Sequence, residues 1–171
     1  MNCQFMSDQN APTDKMHLHI ATTRFNDDTW EQNCDWRISN EWRGCVYGTP
    51  TRMKEDIPTG GLVVILEMNN DKNRIMGLGL VKNSLALDRR YAVYKWGNYN
   101  RYTYRSHYRI DREDLSREEE IVLLVLDMLV FKGHRHLKRG QGITCLPTWI
   151  LENTRFDFRK RIREMFVSRF K

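Results

Sequence analysis

At the centre of the chain is the segment Leu62-Val-Val-Ile-Leu-Glu-Met-Asn-Asn-Asp-Lys-Asn-Arg-Ile-Met-Gly-Leu-Gly-Leu-Val81, in which an apolar run enters a polar turn and a second apolar run follows. The turn, Asn69-Asn-Asp-Lys-Asn73, is rich in residues that tolerate left-handed backbone conformations. Two apolar runs on either side of such a turn are typical of antiparallel strands. We therefore predict a buried β-hairpin.

Further strands are predicted on both sides of the hairpin. Apolar and polar residues alternate from 16 to 21, as is typical of a half-buried strand. Pro58-Thr-Gly-Gly61 interrupts the chain before the hairpin, and two more strands are expected near 91–97 and 101–110.

Helix signals lie outside these strands. Asn26 is a suitable N-cap and is followed by acidic residues, which predicts a short helix through about Cys34. Ser116-Arg-Glu-Glu119 is a capping box before apolar residues at helical spacing, so a helix is expected from there to about Gly133.

Two more helical segments are expected near the C-terminus. Pro147 lies near the start of a short one. A final helix is expected from Thr154 almost to the end of the chain. Its apolar side would contain Phe158, Ile162, Met165, Phe166 and Phe170.

Three segments together resemble the PUA-like barrels of the YTH and EVE families, small domains that bind nucleic acid and in several cases hold a modified base in an aromatic pocket. They are His17-Leu-His-Ile-Ala-Thr-Thr23, Gly44-Cys-Val-Tyr-Gly-Thr-Pro50 and Glu67-Met-Asn-Asn-Asp-Lys-Asn-Arg-Ile-Met-Gly-Leu-Gly79. The resemblance covers about residues 15–110. It implies a mixed α+β fold with a PUA-like barrel at 15–112. Residues 1–14 are polar with little to bury, which predicts a flexible tail. The helix signals and the charge of residues 113–171 predict a basic helical extension packed on the barrel.

The resemblance also implies an aromatic pocket. Tyr47 matches the first aromatic residue of the cage, where these families usually have Trp, and its hydroxyl would need a partner. The second aromatic residue normally follows the hairpin, which makes Trp96 the candidate and Tyr94 the alternative on the same face of a strand. The candidates for the floor and the polar contacts are Trp42, Thr22, Thr23 and Asn69.

Aromatic residues and cations alternate after the hairpin. Unpaired bases stack on such rings for about 1–3 kcal/mol each, while neighbouring cations hold phosphates. The alternative is that the rings fill the interior, because aromatic residues favour strands. The aromatic residues are Tyr91, Tyr94, Trp96, Tyr99, Tyr102, Tyr104 and Tyr108, and the cations are Arg89, Arg90, Lys95, Arg101, Arg105 and Arg109.

Charge is divided unevenly along the chain. Residues 1–131 carry 17 Lys and Arg against 19 Asp and Glu, whereas residues 132–171 carry 11 against 3. A basic C-terminal region favours a phosphate-bearing partner, although a membrane surface or an acidic protein would also suit it. The predicted phosphate contacts are Arg135, Lys138 and Arg139 in a glycine-rich loop, which could instead be a solvated turn, and Arg159, Lys160 and Arg163 on the last helix.

Signals for an enzyme are weak. The chain lacks the motifs of serine hydrolases, zinc proteases and zinc deaminases. The ASCH relatives of PUA-like domains include proposed ribonucleases, and the residues that could serve such chemistry are His134, His136, Lys138 and Tyr47. The four cysteines are scattered, and two His-x-His pairs lack further ligands at a recognisable spacing, so we predict neither a metal site nor a cofactor.

Together these patterns predict a non-catalytic protein that binds RNA or DNA, with single strands favoured and a modified or flipped base in an aromatic pocket. An ASCH-like ribonuclease and a protein-interaction adaptor that uses the C-terminal amphipathic helix are the alternatives. The sequence has neither an apolar run long enough to span a bilayer nor an apolar secretion signal. We therefore expect no membrane partner and an intracellular location, in the cytoplasm or nucleus.

Overall fold

The computed structural model describes residues 17–152 and 155–170, so the tail predicted for residues 1–14 lies outside the described part of the chain. The fold is mixed α+β. The strands are β1 (His19–Phe25), β2 (Cys45–Thr49), β3 (Leu62–Asn69), β4 (Arg74–Lys82), β5 (Tyr102–Ser106), β6 (Arg109–Asp111) and β7 (Thr144–Cys145). The helices are α1 (Asp27–Ser39), α2 (Arg117–Phe131), α3 (Thr148–Leu151) and α4 (Phe158–Arg169).

Five strands form one sheet in the order β6-β4-β3-β1-β7. The predicted hairpin is confirmed as β3 and β4, and β1 runs parallel to β3. The short strand β7 pairs antiparallel with β1. Because β7 lies after residue 112, the segment expected to be an extension contributes to the same sheet as the segment expected to be a barrel.

A second, two-stranded sheet consists of β2 and β5 in antiparallel pairing. It meets the larger sheet at β4, where the backbone N–H of Leu80 donates to the carbonyl of Tyr108 at 3.0 Å. The side chain of Ser106 also donates to the carbonyl of Leu80. The described residues form these two sheets and no closed barrel.

Strand β3 is buried on both faces, which explains why its sequence is apolar without alternation. Val64, Leu66 and Met68 belong to the core on the helical side of the sheet, together with residues of α2, α3 and α4. Val63 and Ile65 belong to a second core, which lies between the larger sheet and the β2–β5 sheet.

The local helix signals are largely confirmed. In the capping box of α2, Ser116 Oγ accepts from the backbone N–H of Glu119 at 3.3 Å, and the Glu119 carboxylate accepts from that of Ser116 at 2.8 Å. Asn26 caps α1, but the helix continues to Ser39 rather than ending near Cys34.

The predicted start of the last helix and one predicted strand were also wrong. Helix α4 begins at Phe158, where the Asp157 carboxylate accepts from the Lys160 backbone N–H, rather than at Thr154. The segment near 91–97 is not a strand. The Asn100 side chain bonds the backbone of Val93 and Tyr94 and so occupies groups that a neighbouring strand would need.

Helix α4 directs its apolar side into the protein. Phe158, Ile162, Met165 and Phe166 are all buried in the helical core. These four residues are therefore unavailable to a partner protein while the helix remains packed, whereas Phe170, the last residue of the predicted apolar side, is 38% exposed. None of the helices in the described residues has the length and hydropathy needed to cross a bilayer.

Candidate functional site

Tyr47 lies in the interior rather than at the wall of a pocket. Its side chain is 1% exposed and its hydroxyl donates to Glu67 Oε1 at 2.8 Å. Burial raises the pKa of this hydroxyl well above its ordinary value, and the nearby Cys45 and Glu67 raise it further. The structure thus corrects the placement that the resemblance implied, because the position matched to a cage aromatic supplies a core hydrogen bond.

The other predicted cage aromatics do not join Tyr47. Trp96 is 71% exposed at the surface, where it precedes the short 3-10 helix Gly97–Asn100. Trp42 donates from its indole nitrogen to the carbonyl of Cys45 at 3.0 Å, and its ring lies tilted against that of His107 with centroids 4.2 Å apart. Neither tryptophan lines the cavity described below, so the expected cage does not form.

Of the predicted polar contacts, Thr22 and Asn69 have structural roles. Thr22 Oγ1 is buried and donates to the carbonyl of Thr144 at 3.4 Å. Asn69 Oδ1 accepts from the backbone N–H groups of Asp71 and Lys72 and so stabilises the hairpin turn. Only Thr23 of this group borders the cavity.

A cavity of about 280 Å³ lies at the carboxyl end of β1. It brings together residues of β1, β2, the start of α1 and the glycine-rich loop. No carboxylate belongs to its lining within the described residues. The lining residues are Thr23, Arg24, Phe25, Asn26, Thr29, Gly48, Pro50, Asn70, Tyr94, Tyr99, Lys138, Gly140, Gln141 and Gly142.

Three aromatic residues line the cavity, namely Phe25, Tyr94 and Tyr99. Tyr94 is mostly buried, and its hydroxyl accepts from the side-chain amide of Asn33 at 3.0 Å. Burial is the main reason that the pKa of this hydroxyl is raised, so Tyr94 stays neutral at physiological pH. Tyr99 is 42% exposed and meets Tyr94 edge to face at a centroid distance of 6.4 Å. Tyr99 therefore offers ring surface to a ligand.

Arg24 is the cavity residue that sequence reasoning missed. Its Nε donates to the carbonyl of Leu137 at 2.7 Å. Its Nη1 donates to the carbonyl of Gly142 at 3.1 Å and to Thr144 Oγ1 at 2.5 Å. Within the described residues no carboxylate pairs with it. An arginine near the end of a strand in which the four preceding residues, Ile20 to Thr23, are apolar or small was the available signal.

Arg24 carries its charge at a partly buried position. Burial lowers the pKa of its guanidinium to about 10, which still leaves the group charged at neutral pH. Removing a charge from water is unfavourable unless hydrogen bonds or a ligand compensate it, and the three hydrogen bonds of Arg24 compensate part of this cost. The cavity is therefore suited to a ligand that brings oxygen acceptors.

Lys138 is the predicted phosphate contact that reaches this cavity. Its ammonium donates to Asn73 Oδ1 at 2.7 Å, and its carbonyl accepts from Asn70 Nδ2 at 3.0 Å. Arg139 follows on the exposed part of the loop. Arg135 turns away to Trp149, where its guanidinium lies 5.7 Å from the ring centroid.

The basic residues of α4 lie near the opposite end of β1. Arg163 borders an apolar groove together with Leu18 and Leu62. Burial lowers the pKa of His19, and the positive charges of His17 and Arg159 lower it further. His19 and Arg24 are about 17 Å apart, because a strand rises about 3.3 Å per residue. The structure thus separates Arg159, Lys160 and Arg163 from the cavity, so the two predicted groups of phosphate contacts do not form one surface.

Much of the aromatic and arginine run is stacked within the protein. The guanidinium of Arg105 lies 4.6 Å from the Trp42 ring centroid and 5.2 Å from that of Tyr91. The guanidinium of Arg89 lies 5.0 Å from Tyr91 and 5.8 Å from Trp36. These rings are engaged by arginines of the same chain. Within the run, Trp96, Tyr99 and Tyr108 remain exposed.

The residues considered for a ribonuclease are not assembled into one site. Tyr47 is in the core and bonds Glu67. His136 Nδ1 accepts from the Lys138 backbone N–H at 3.3 Å, and His134 is exposed. Tyr47 is therefore not exposed beside the loop that carries the two histidines.

Comparisons of the chain with protein-family models, with curated proteins and with solved structures gave no significant match. The resemblance to YTH and EVE domains therefore remains a prediction based on the residues of this chain alone.

Proposed function

We propose that this protein binds single-stranded RNA or DNA without catalysing a reaction, and that a flipped base enters the cavity beside Arg24. The composition of the cavity carries the proposal. Its lining combines the rings of Tyr94 and Tyr99 with the cations Arg24 and Lys138 and contains no carboxylate among the described residues.

Each part of this lining suits one part of a nucleotide. A base can stack on an aromatic ring whatever its identity, for about 1–3 kcal/mol. Cations attract the phosphates on either side of that base, and this attraction weakens as salt increases. Tyr99, which is exposed, and Lys138 border the same cavity, so a ring and a cation are available to one nucleotide.

The fold is compatible with the proposal. Parallel pairing of β1 with β3, the β3–β4 hairpin and the β2–β5 sheet support a PUA-like arrangement in which the two sheets enclose a common core. We infer that the cavity lies where this arrangement opens, between the end of β1 and the glycine-rich loop. A modified base could enter the same space, but Tyr47 and Trp96 would not enclose it.

Fluorescence anisotropy with labelled single strands tests the proposal. The substitution Tyr99→Ala should weaken binding by about 1–3 kcal/mol because a stacking surface is lost. Tyr108→Ala is the matched control, since Tyr108 is similarly exposed but lies outside the cavity. Absence of binding to every RNA and DNA strand at low salt would refute the proposal. Equal losses for the two variants would refute the assignment of the cavity.

A further inference from the structure

The guanidinium of Arg24 is a fixed donor at the cavity. Its three hydrogen bonds, through Nε and Nη1, connect β1 to the loop at Leu137 and Gly142 and to Thr144 of β7. These bonds hold the planar group in one orientation. The remaining nitrogen, Nη2, makes no hydrogen bond to any of the described residues. A donor held in this way can discriminate between ligands by the groups that they present to it.

Nucleobases differ in what they present. Guanine and uracil carry keto oxygens, which accept hydrogen bonds, at the positions where adenine and cytosine carry amino groups, which donate them. An amino group directed at Arg24 would place two donors together, whereas a keto oxygen would satisfy Nη2 and lie next to the positive charge. No carboxylate lines the cavity. Its lining does contain a buried acceptor without a hydrogen-bond partner in the described residues, Asn70 Oδ1. This acceptor suits the ring N–H that lies beside the keto oxygen of guanine and uracil.

We infer that the cavity selects a nucleobase with a keto oxygen, such as guanine or uracil, and that Arg24 is the residue that determines this specificity. The inference rests on the proposed binding of single strands and adds the class of base. A phosphate oxygen can accept a hydrogen bond from a guanidinium just as a keto oxygen can. The experiment must therefore distinguish a base oxygen from a phosphate oxygen as the partner of Arg24.

Hypoxanthine and adenine provide a matched pair of ligands, since the keto oxygen of one replaces the amino group of the other at the same ring carbon. We suggest strands of about nine nucleotides that carry no base at any position except the centre. This length is within the usual range for single-strand sites. The central position would carry hypoxanthine, adenine or no base. All three strands have the same phosphates, so a difference in affinity reports the base alone.

The expected result is that the hypoxanthine strand binds about tenfold more tightly than the adenine strand, which is the ratio expected from one hydrogen bond to a charged group. The wholly abasic strand should bind most weakly. Equal affinity for the abasic and hypoxanthine strands would show that Arg24 contacts phosphate, and equal or tighter binding of adenine would also overturn the inference. Failure of every strand to bind, including strands with all their bases, would instead refute the proposed function.

Two variants connect the preference to Arg24. Arg24→Met removes the donors and should abolish the tenfold ratio, but it also removes the bonds to the loop. Gly140→Ala keeps the arginine, yet the added methyl carbon would lie 2.1 Å from Nη2 and must displace the guanidinium. It should therefore also reduce the ratio. Gly97→Ala is the control, because a methyl carbon there meets no atom within 4 Å. Retention of the tenfold ratio in folded Gly140→Ala and Arg24→Met proteins would overturn the role of Arg24.

Discussion

Glu67 and Arg109 form an ion pair inside the protein, with Arg109 Nη2 at 2.8 Å from Glu67 Oε2 and Arg109 Nε at 3.0 Å from Glu67 Oε1. Two glycines of β4 make room for it. A methyl carbon on Gly77 would lie 2.7 Å from both charged groups, and one on Gly79 would lie 2.0 Å from the Tyr47 hydroxyl. The glycines of the Gly-Leu-Gly sequence in the hairpin therefore leave space for a buried polar network between the sheets.

Tyr47→Phe should lower the free energy of unfolding by about 1 kcal/mol, because it removes one hydrogen bond to Glu67. Glu67→Leu should cost more, about 3–5 kcal/mol, since it leaves the buried Arg109 without its main partner. Urea unfolding measures both changes, with Tyr108→Phe as the surface control. Affinity for single strands should be unchanged in Tyr47→Phe. A loss of affinity at unchanged stability would place the Tyr47 ring at the ligand after all.

Trp96→Ala should weaken single-strand binding by about 1–3 kcal/mol, because the ring is exposed three residues before Tyr99 and is available for stacking. The free energy of unfolding should change by less than about 0.5 kcal/mol, as is usual at the surface. Anisotropy and thermal melting of the same samples measure the two quantities. Ile38→Ala, at another highly exposed apolar side chain, is the control. A large drop in melting temperature with unaltered affinity would contradict this prediction.

Charge reversal should distinguish the contribution of the glycine-rich loop to the salt dependence of binding from that of α4. Lys138→Glu should weaken binding to all sequences and reduce the slope of log affinity against log salt by about 0.7 for each lost phosphate contact of a single strand. Lys160→Glu should leave the slope nearly unchanged, because α4 lies near the other end of β1. The two variants change net charge equally. Identical effects on the slope would indicate long-range attraction by net charge rather than a local contact.

The pKa of His19 should lie below 6.5, because burial, His17 and Arg159 all disfavour its charged form. The unfolded chain then binds the proton more tightly than the folded one. Neutral His19 therefore contributes to the free energy of unfolding above the pKa of the unfolded chain, and this contribution is lost as the pH falls through the pKa of the folded protein. NMR titration of the imidazole measures the shift, and Arg159→Gln should move the pKa upward. If that substitution left the pKa unchanged, α4 would not lie beside the start of β1.

The secondary structure was predictable where the signals are local. The capping residues Asn26 and Ser116 satisfy N–H groups within three residues along the chain, so their motifs are visible in the sequence. The segment 91–97 was predicted as a strand from its aromatic residues. It is irregular because the side chain of Asn100 bonds its backbone, and single-residue preferences do not report such a contact.

The sequence alone determined the central hairpin, the mixed α+β class and the presence of cations and aromatic residues, because apolar periodicity and residue type are properties of neighbouring positions. Only the tertiary structure decided which of these residues meet. Arg24 reaches carbonyl and hydroxyl groups of residues 137, 142 and 144, more than 100 positions away, and thereby closes a cavity with Tyr94 and Tyr99. Tyr47 points inward for the same reason, since Glu67 on another strand, itself paired with Arg109, offers its hydroxyl a buried partner that no local pattern reveals.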